Sequence, residues 1–228
     1  MGYKQDVLNS QKELMLISKN KREIIVKAKY GPSKPTKIPL SLNKELSFFV
    51  ATIIGDGHLK KNKLQISIEV QNKKLIEELI EICKSNFNRK FEIHNRNKLG
   101  KEYYSFFIDS KAIYNLLNKT FSIPFGKKSH IVTVPEYVKY SSKKIKLAFL
   151  QGIMVTEGGK RKRGFGLSTA SEQLWKDLII LFKEVGINTN KDKWIYKKYK
   201  KEYYGISFRK EYMKLLMRSC RSGQTGEA

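Results

Sequence analysis

Acidic residues are scarce in this chain. Twenty-one Asp and Glu stand against 46 Lys and Arg, a formal net charge of +25 over 228 residues. Such an excess repels itself in the free protein and makes sense opposite a polyanion, most often nucleic acid and less often a membrane surface. Cysteine is nearly missing too: Cys83 and Cys220 are the only two. That excludes a disulfide framework or a Cys-rich zinc site, and both read as small apolar packing residues. No run approaches the roughly 20 apolar residues that span a bilayer. The first fifteen residues lack the apolar core of a secretory signal. Asp6 stands where a myristoylation signal needs Ser or Thr. Together these absences point to an intracellular, reducing compartment, whether cytoplasm, nucleoid or organelle, and to no membrane partner. What remains is 40% hydrophobic and 11% aromatic, which suits a folded chain of one large or two small domains and not a disordered basic tail.

Residues 1–45 carry 10 Lys and Arg against 4 Asp and Glu. They read as a basic N-terminal extension with one helical stretch over residues 10–19, followed by the breaker-rich Tyr30-Gly-Pro-Ser-Lys-Pro-Thr-Lys-Ile-Pro39. A solvated leader and a nucleic-acid contact are equally open for this part. Beyond it the chain repeats itself. The run Phe48-Phe-Val-Ala-Thr-Ile-Ile-Gly-Asp-Gly57 returns as Ala148-Phe-Leu-Gln-Gly-Ile-Met-Val-Thr-Glu-Gly158. The alternating Leu64-Gln-Ile-Ser-Ile-Glu-Val70 has its counterpart in Phe165-Gly-Leu-Ser-Thr-Ala170, and each is followed by an amphipathic helix, starting at Leu75 and Leu174. Glu102-Tyr-Tyr-Ser-Phe returns as Glu202-Tyr-Tyr-Gly-Ile-Ser-Phe. Such ordered recurrence marks a duplicated unit. The periodicities predict, in the first copy, helices over 46–56, 73–84 and 111–119 and strands over 64–70, 90–96 and 102–109. In the second they predict helices over 144–157, 172–185 and 210–217 and strands over 164–170, 192–197 and 203–209. The division is 46–140 and 141–220, with 221–228 a flexible tail.

The repeated helix is built for close approach. Ala51 and Gly55 in one copy, and Gly152 and Thr156 in the other, place small residues four apart on one face. Each helix ends at a glycine, Gly57 or Gly158, suited to a left-handed cap. Before each glycine stands an acid, Asp56 or Glu157, at the helix end where the dipole disfavours negative charge by a few tenths to about 1 kcal/mol. If the helices pack side by side in parallel, both acids emerge together and repel unless a cation lies between them. Oxygen-only ligands suit Mg2+, and two acids with a divalent cation under a cationic surface suit phosphodiester hydrolysis.

With these residues in view, the chain resembles the LAGLIDADG homing endonucleases in their single-chain form. Phe49-Val-Ala-Thr-Ile-Ile-Gly-Asp-Gly57 and Leu150-Gln-Gly-Ile-Met-Val-Thr-Glu-Gly158 stand in the nine motif positions. The sixth position, often Asp in the family, holds Ile54 and Val155 and reads as non-catalytic. The resemblance implies an α+β fold of two pseudo-symmetric αββαββα-type halves, each with an antiparallel sheet, joined by a parallel packed pair of motif helices. It implies a monomer that binds a long, asymmetric double-stranded DNA site and cuts it across the minor groove. It puts Asp56 and Glu157 at the metal, with the main-chain carbonyls of Gly55 and Thr156 as further ligands. Mg2+ is the expected ion, with Mn2+ able to replace it and Ca2+ able to bind without cleavage. The family's basic residue near the scissile phosphate falls on Lys127 or Lys128, with Lys127 favoured. Glu69 or Gln71, and Ser168 or Thr169 in the second copy, are candidates for positioning water.

The strands supply a recognition surface. The segments 94–101 and 191–201 are dense in Arg, Lys and Asn, which read base edges in the major groove or hold phosphates. The candidates are His94, Arg96, Lys98, Lys101, Lys193, Tyr196, Lys198 and Lys200. His58, with Lys160 in its place in the second copy, reads as a packing or phosphate-contacting residue, and Tyr103 and Tyr203 as cross-strand packing. Three functions compete: a site-specific Mg2+-dependent DNA endonuclease, intron-encoded by its small size; a non-cleaving binder on the same scaffold, either an RNA maturase with intron RNA as partner or a transcription regulator; and an unrelated basic RNA-binding protein. The two acids favour the first.

Overall fold

The N-terminal residues do not form a loose leader. In the computed structural model, which describes residues 2–161, 164–196 and 201–218, they fold as helix α1 (Tyr3–Ser10) and an antiparallel sheet of β1 (Met15–Lys19), β2 (Glu23–Lys27) and β3 (Thr36–Pro39). The helix expected over residues 10–19 is corrected: the helix ends at Ser10 and Met15–Lys19 is a strand. Its backbone finds partners in β2, and the Asn20 side chain, accepting from the amides of Arg22 and Glu23, closes the hairpin. Tertiary pairing here overrides local helix preference. The alternation of β2 sends Ile24 and Val26 inward, where they join Val7, Leu14, Ile38 and Leu40 in the common core.

The body consists of two copies of one unit. The first is α2 (Lys44–Gly55), β4 (Gly57–Lys60), β5 (Gln65–Val70), α3 (Lys73–Phe87), β6 (His94–Lys98), β7 (Lys101–Asp109) and α4 (Lys111–Asn115), which runs into a π-helical turn (Leu116–Thr120). After the connecting α5 (Glu136–Lys139), the second is α6 (Lys143–Glu157), β8 (Gly158–Arg161), β9 (Gly164–Thr169), α7 (Glu172–Glu184), β10 (Asn190–Tyr196), β11 (Lys201–Phe208) and α8 (Lys210–Arg218). Each half reads αββαββα, and the sheets are ordered β4-β5-β7-β6 and β10-β11-β9-β8, antiparallel throughout. The short strands β4 and β8 escaped the periodicity. Gly-His-Leu-Lys and Gly-Gly-Lys-Arg are too short to show alternation, and pairing with β5 and β9 makes them strands. The strand expected over 90–96 lies at His94–Lys98. Among the described residues no helix is long and apolar enough to cross a membrane. The tail 221–228 and Cys220 lie outside the described residues, whereas Cys83 is buried on α3 as a packing residue.

Local chemistry fixes where these elements begin and end. Asn43, Asn72 and Ser171 cap α2, α3 and α7 by accepting main-chain N–H bonds, and Asn88 ends α3 in the left-handed region at φ 51°. Each large sheet turns alternate residues toward its helices. Ile66, Ile68, Phe106 and Ile108 are buried, while Ser67, Glu69 and Phe107 look the other way. The two sheets are joined through α2 and α6, which pack as neighbours at the centre of the molecule.

Candidate active site and nucleic-acid interface

The contact between α2 and α6 is as close as the small residues allow. A Cβ on Gly152 would sit 2.6 Å from the Ala51 Cβ and 2.6 Å from the Phe48 carbonyl oxygen. A Cβ on Gly55 would overlap the Thr156 hydroxyl. Thr156 turns that hydroxyl back onto its own helix, donating to the Gly152 and Ile153 carbonyls, and Ser47 donates across the pair to Ile145. Phe49 and Leu150, at matching positions, are fully buried.

The glycines after the acids play a different part from the expected left-handed caps. Gly158 is extended (φ −87°, ψ 157°), and Gly57 is not among the glycines of positive φ. Each starts a strand immediately after the helix, so the chain doubles back against the helix end. A Cβ on Gly57 would come 2.7 Å from the Ile53 Cα, and one on Gly158 would overlap the Met154 carbonyl oxygen. Glycine is there because the backbone passes too close for a side chain.

This turn leaves Asp56 and Glu157 at the same end of the helix pair. Their tips reach solvent, yet the surroundings are poor enough in water that burial pushes the Asp56 carboxyl up to about 6 against the pull of Lys128. The Glu157 carboxyl is also raised, by burial first and then by the Asp56 charge, with Lys128 opposing. Lys128 is half-buried, donates to the Gly55 carbonyl at 3.0 Å, and is lowered by burial while both acids hold it up. The three groups therefore form one electrostatic cluster. Lys127, the favoured lysine, is exposed; the structure brings Lys128 to the acids instead. Gly55 does present its carbonyl at the cluster, where Lys128 takes it.

A cleft of about 270 Å³ opens beside Glu157, lined by Gly55, Lys128, His130, Ser168, Lys201 and Tyr203 among others. Ser168 thus stands at the site. Thr169 is buried and accepts from the Ser171 amide. Glu69 occupies the matching place in the first sheet, since β5 and β9 pair equivalently with the strands that follow the motifs. There its carboxylate is held by the Arg96 guanidinium at 2.6 Å, and Gln71 donates to the Tyr103 hydroxyl at 3.1 Å. His130, Lys201 and Tyr203 were not singled out as site residues, because loop and strand-end positions acquire a place only when the chain folds.

Register decides which strand residues face outward. In the first half, Arg96 lies opposite Tyr103 and His94 opposite Ser105, and Lys98 and Lys101 share that face. All four expected residues stand on the exposed side of the sheet. In the second half, Tyr196 and Trp194 face outward with Tyr203, Trp194 stacking on it at 6.1 Å and Tyr196 meeting it edge-on. Gly205 lets the indole lie flat, since a Cβ there would come 2.9 Å from the ring. Lys193 is a correction. It is one residue out of phase, on the helix side, where it pairs with Glu202 at 3.1 Å and covers the Tyr204 ring that packs on Trp175. Lys198 and Lys200 lie outside the described residues. His58 is exposed on β4, and its counterpart by register is Gly159, not Lys160.

Residues 144–222 match the model of the LAGLIDADG-like domain. Over 170 residues the chain is 28% identical to the glutamine–fructose-6-phosphate aminotransferase of Methanocaldococcus jannaschii, covering 74% of this chain and 15% of that protein. It is 28% identical over 183 residues to the probable translation initiation factor IF-2 of the same organism, covering 77% and 15%. The chain thus spans about 15% of the length of these curated relatives. Among solved structures it is similar to I-DmoI in complex with DNA and Mn, with a TM-score of 0.56 and 14% identity over 80% of this chain and 98% of that one. The chain thus carries a LAGLIDADG-like domain over its second half and, over most of its length, shares the fold of I-DmoI.

Proposed function

We propose that this protein is a site-specific, metal-dependent endonuclease of double-stranded DNA. The observation that carries the reading is the cluster of Asp56, Glu157 and Lys128 at one end of the helix pair that joins two outward-facing sheets. Two carboxylates whose charges are both disfavoured by their surroundings fit a hard divalent cation, which prefers a few carboxylate oxygens completed by water and phosphate. Asp56 and Glu157 would hold it, with the main-chain carbonyls of Gly55 and Thr156 within the same turn of backbone. When bound, such an ion supplies Lewis acidity toward a phosphate oxygen and acidifies a coordinated water. Lys128 places a positive charge where a scissile phosphate would gain negative charge. Ser168 and Glu69, at matching places beside the acids, would orient water, and Arg96 keeps the Glu69 carboxylate in position.

Structures of I-DmoI hold DNA with Mn, with Ca, and its target DNA with Mg, which supports divalent metal use here. Mg2+ is the ion we assign, with Mn2+ replacing it and Ca2+ holding DNA uncut. The partner is double-stranded DNA bound by a monomer, the outward faces of the two sheets lying in the major groove. Because the first face is charged and polar and the second aromatic, the site is asymmetric. An aminotransferase and a translation initiation factor share no chemistry, so what both share with this chain is a module carried inside longer coding sequences. That favours an origin within a host protein's reading frame over an intron origin.

The test is cleavage of a randomised duplex library with Mg2+, beside a Ca2+ arm and the Asp56→Asn and Glu157→Gln proteins. Cutting at one long asymmetric site, lost in both variants while DNA binding persists, establishes the activity. Full cutting by both variants sinks the site assignment. Tight binding with no cutting under any metal moves the chain to the non-cleaving binders.

A further inference from the structure

The N-terminal sheet borders a basic cleft that the endonuclease reading leaves unused. The cleft encloses about 480 Å³ between the β2–β3 loop and the outer end of the first large sheet, and its lining includes Lys34, Lys63, Arg89, Lys111 and Asp109. Two of these cations are already committed. Lys111 pairs with Glu13 at 3.0 Å, and Arg89 donates to the Lys34 carbonyl and the Thr36 hydroxyl, which anchors the loop from below. Lys34 and Lys63 are exposed and have no ion-pair partner among the described residues. Asp109, the one acid of the lining, is engaged by the Gln65 amide at 2.8 Å.

The cleft is continuous with the outward sheet face. Lys60, Gln65 and Asp109 lie in one row across β4, β5 and β7, and this row ends at the cleft. Strand β4 leaves Asp56 and runs away from it, so the turn that carries Lys63 lies about 13–17 Å from the acids at strand spacing. Along a duplex this is about four to five base pairs from the cut. The loop bearing Lys34 is also held in place before any ligand arrives. Gln11 donates to the Ala112 carbonyl at 3.1 Å, Thr36 meets Ser110 at 3.3 Å, Ser33 accepts from the Ala28 amide, and Ile24, Val26 and Ile38 are buried in the common core.

We infer that this cleft is a phosphate-backbone clamp: Lys34 and Lys63 hold the DNA that flanks the first-half end of the target, beyond the reach of the sheets. The inference rests on the proposed DNA binding and extends it. Such contacts position and tighten without reading sequence. Because the loop is pre-organised, they need little ordering on binding.

The experiment uses the site recovered from the library, in EDTA so that nothing is cut. Affinity is measured by anisotropy on a duplex trimmed at the first-half end and on one continued about ten base pairs past it, for the native protein and for Lys34→Ala/Lys63→Ala. Native protein should bind the longer duplex more tightly, and the double variant should bind both alike. Two lost phosphate contacts reduce the salt slope by about 1.8, so the native advantage on the long duplex should shrink about tenfold between 50 and 200 mM salt. Equal native affinity for both duplexes overturns the clamp, and so does a variant that weakens equally on both. If neither duplex binds the native protein, the endonuclease reading fails and takes the clamp with it.

Discussion

Replacing Gly152 with Ala tests whether the helix contact sets the geometry of the acids. The new Cβ would lie 2.6 Å from the Ala51 Cβ and from the Phe48 carbonyl oxygen, where carbon atoms settle near 3.5–4.0 Å. One neighbour is main chain and cannot rotate away, so α2 and α6 must part by about 1 Å. Overpacking of this kind costs about 1–3 kcal/mol. The helix gains about 1 kcal/mol from exchanging Gly for Ala, which leaves a net loss of up to about 2 kcal/mol. For a chain of this size that lowers Tm by up to about 8 °C. The functional effect should be larger, because a displacement of about 1 Å between reacting groups can remove about 10²-fold in rate. Thermal melting by circular dichroism and cleavage of a plasmid carrying the target would be measured together. Adding Ala51→Gly removes one of the two clashes and should recover part of both losses. Gly159→Ala, where no neighbour lies within 4 Å, should leave the melt unchanged. A Gly152→Ala protein that melts and cuts like the native one would refute the close-packing argument.

Two further outcomes follow from the acid cluster. Lys128→Met should reduce cleavage about 10²-fold with DNA binding largely kept, whereas Lys127→Met should cut nearly as well as the native protein; the reverse order would return the role to Lys127. Without metal, the Asp56 carboxyl near 6 holds its proton more tightly in the folded state than in the unfolded state. The native state is then favoured at low pH, and this contribution is lost as pH rises from about 4 through about 6. Melting in EDTA, compared with Asp56→Asn across that window, should show the native protein losing ground as pH rises and then running parallel above 7. A flat difference would mean that Asp56 is as well solvated as a free carboxylate.

The motif helices were legible because their signal is redundant. Small residues four apart, an acid and then a glycine recur in both copies, and each feature is local. The paired sheets were legible through the alternation of 64–70 and its counterpart. What stayed hidden depended on partners. Met15–Lys19 is a strand only because β2 lies beside it. The choice between Lys127 and Lys128 turns on a loop, where no periodicity says which of two neighbours looks inward. Lys193 shows the other failure: a run of lysines was read as one surface, although the period of two divides it between faces once Tyr204 is placed against Trp175. The glycines after the acids were found for the right position and the wrong reason, since the close passage of a returning strand leaves no trace in the helix itself.

The lysine between the acids belongs to neither repeated unit but to the segment that connects them. That segment is fastened to the first half where the Gly126 amide reaches the Leu59 carbonyl at 3.0 Å. It is fastened to the second where Ser171 donates to the Val132 carbonyl at 2.6 Å and Asp177 accepts from the Val134 amide at 3.1 Å. A pair of first halves brought together as a dimer could place two such lysines around a twofold axis, and a pair of second halves none. The connecting segment makes the two halves non-interchangeable, and their outward faces differ in the same sense, one carrying charges and the other aromatic rings.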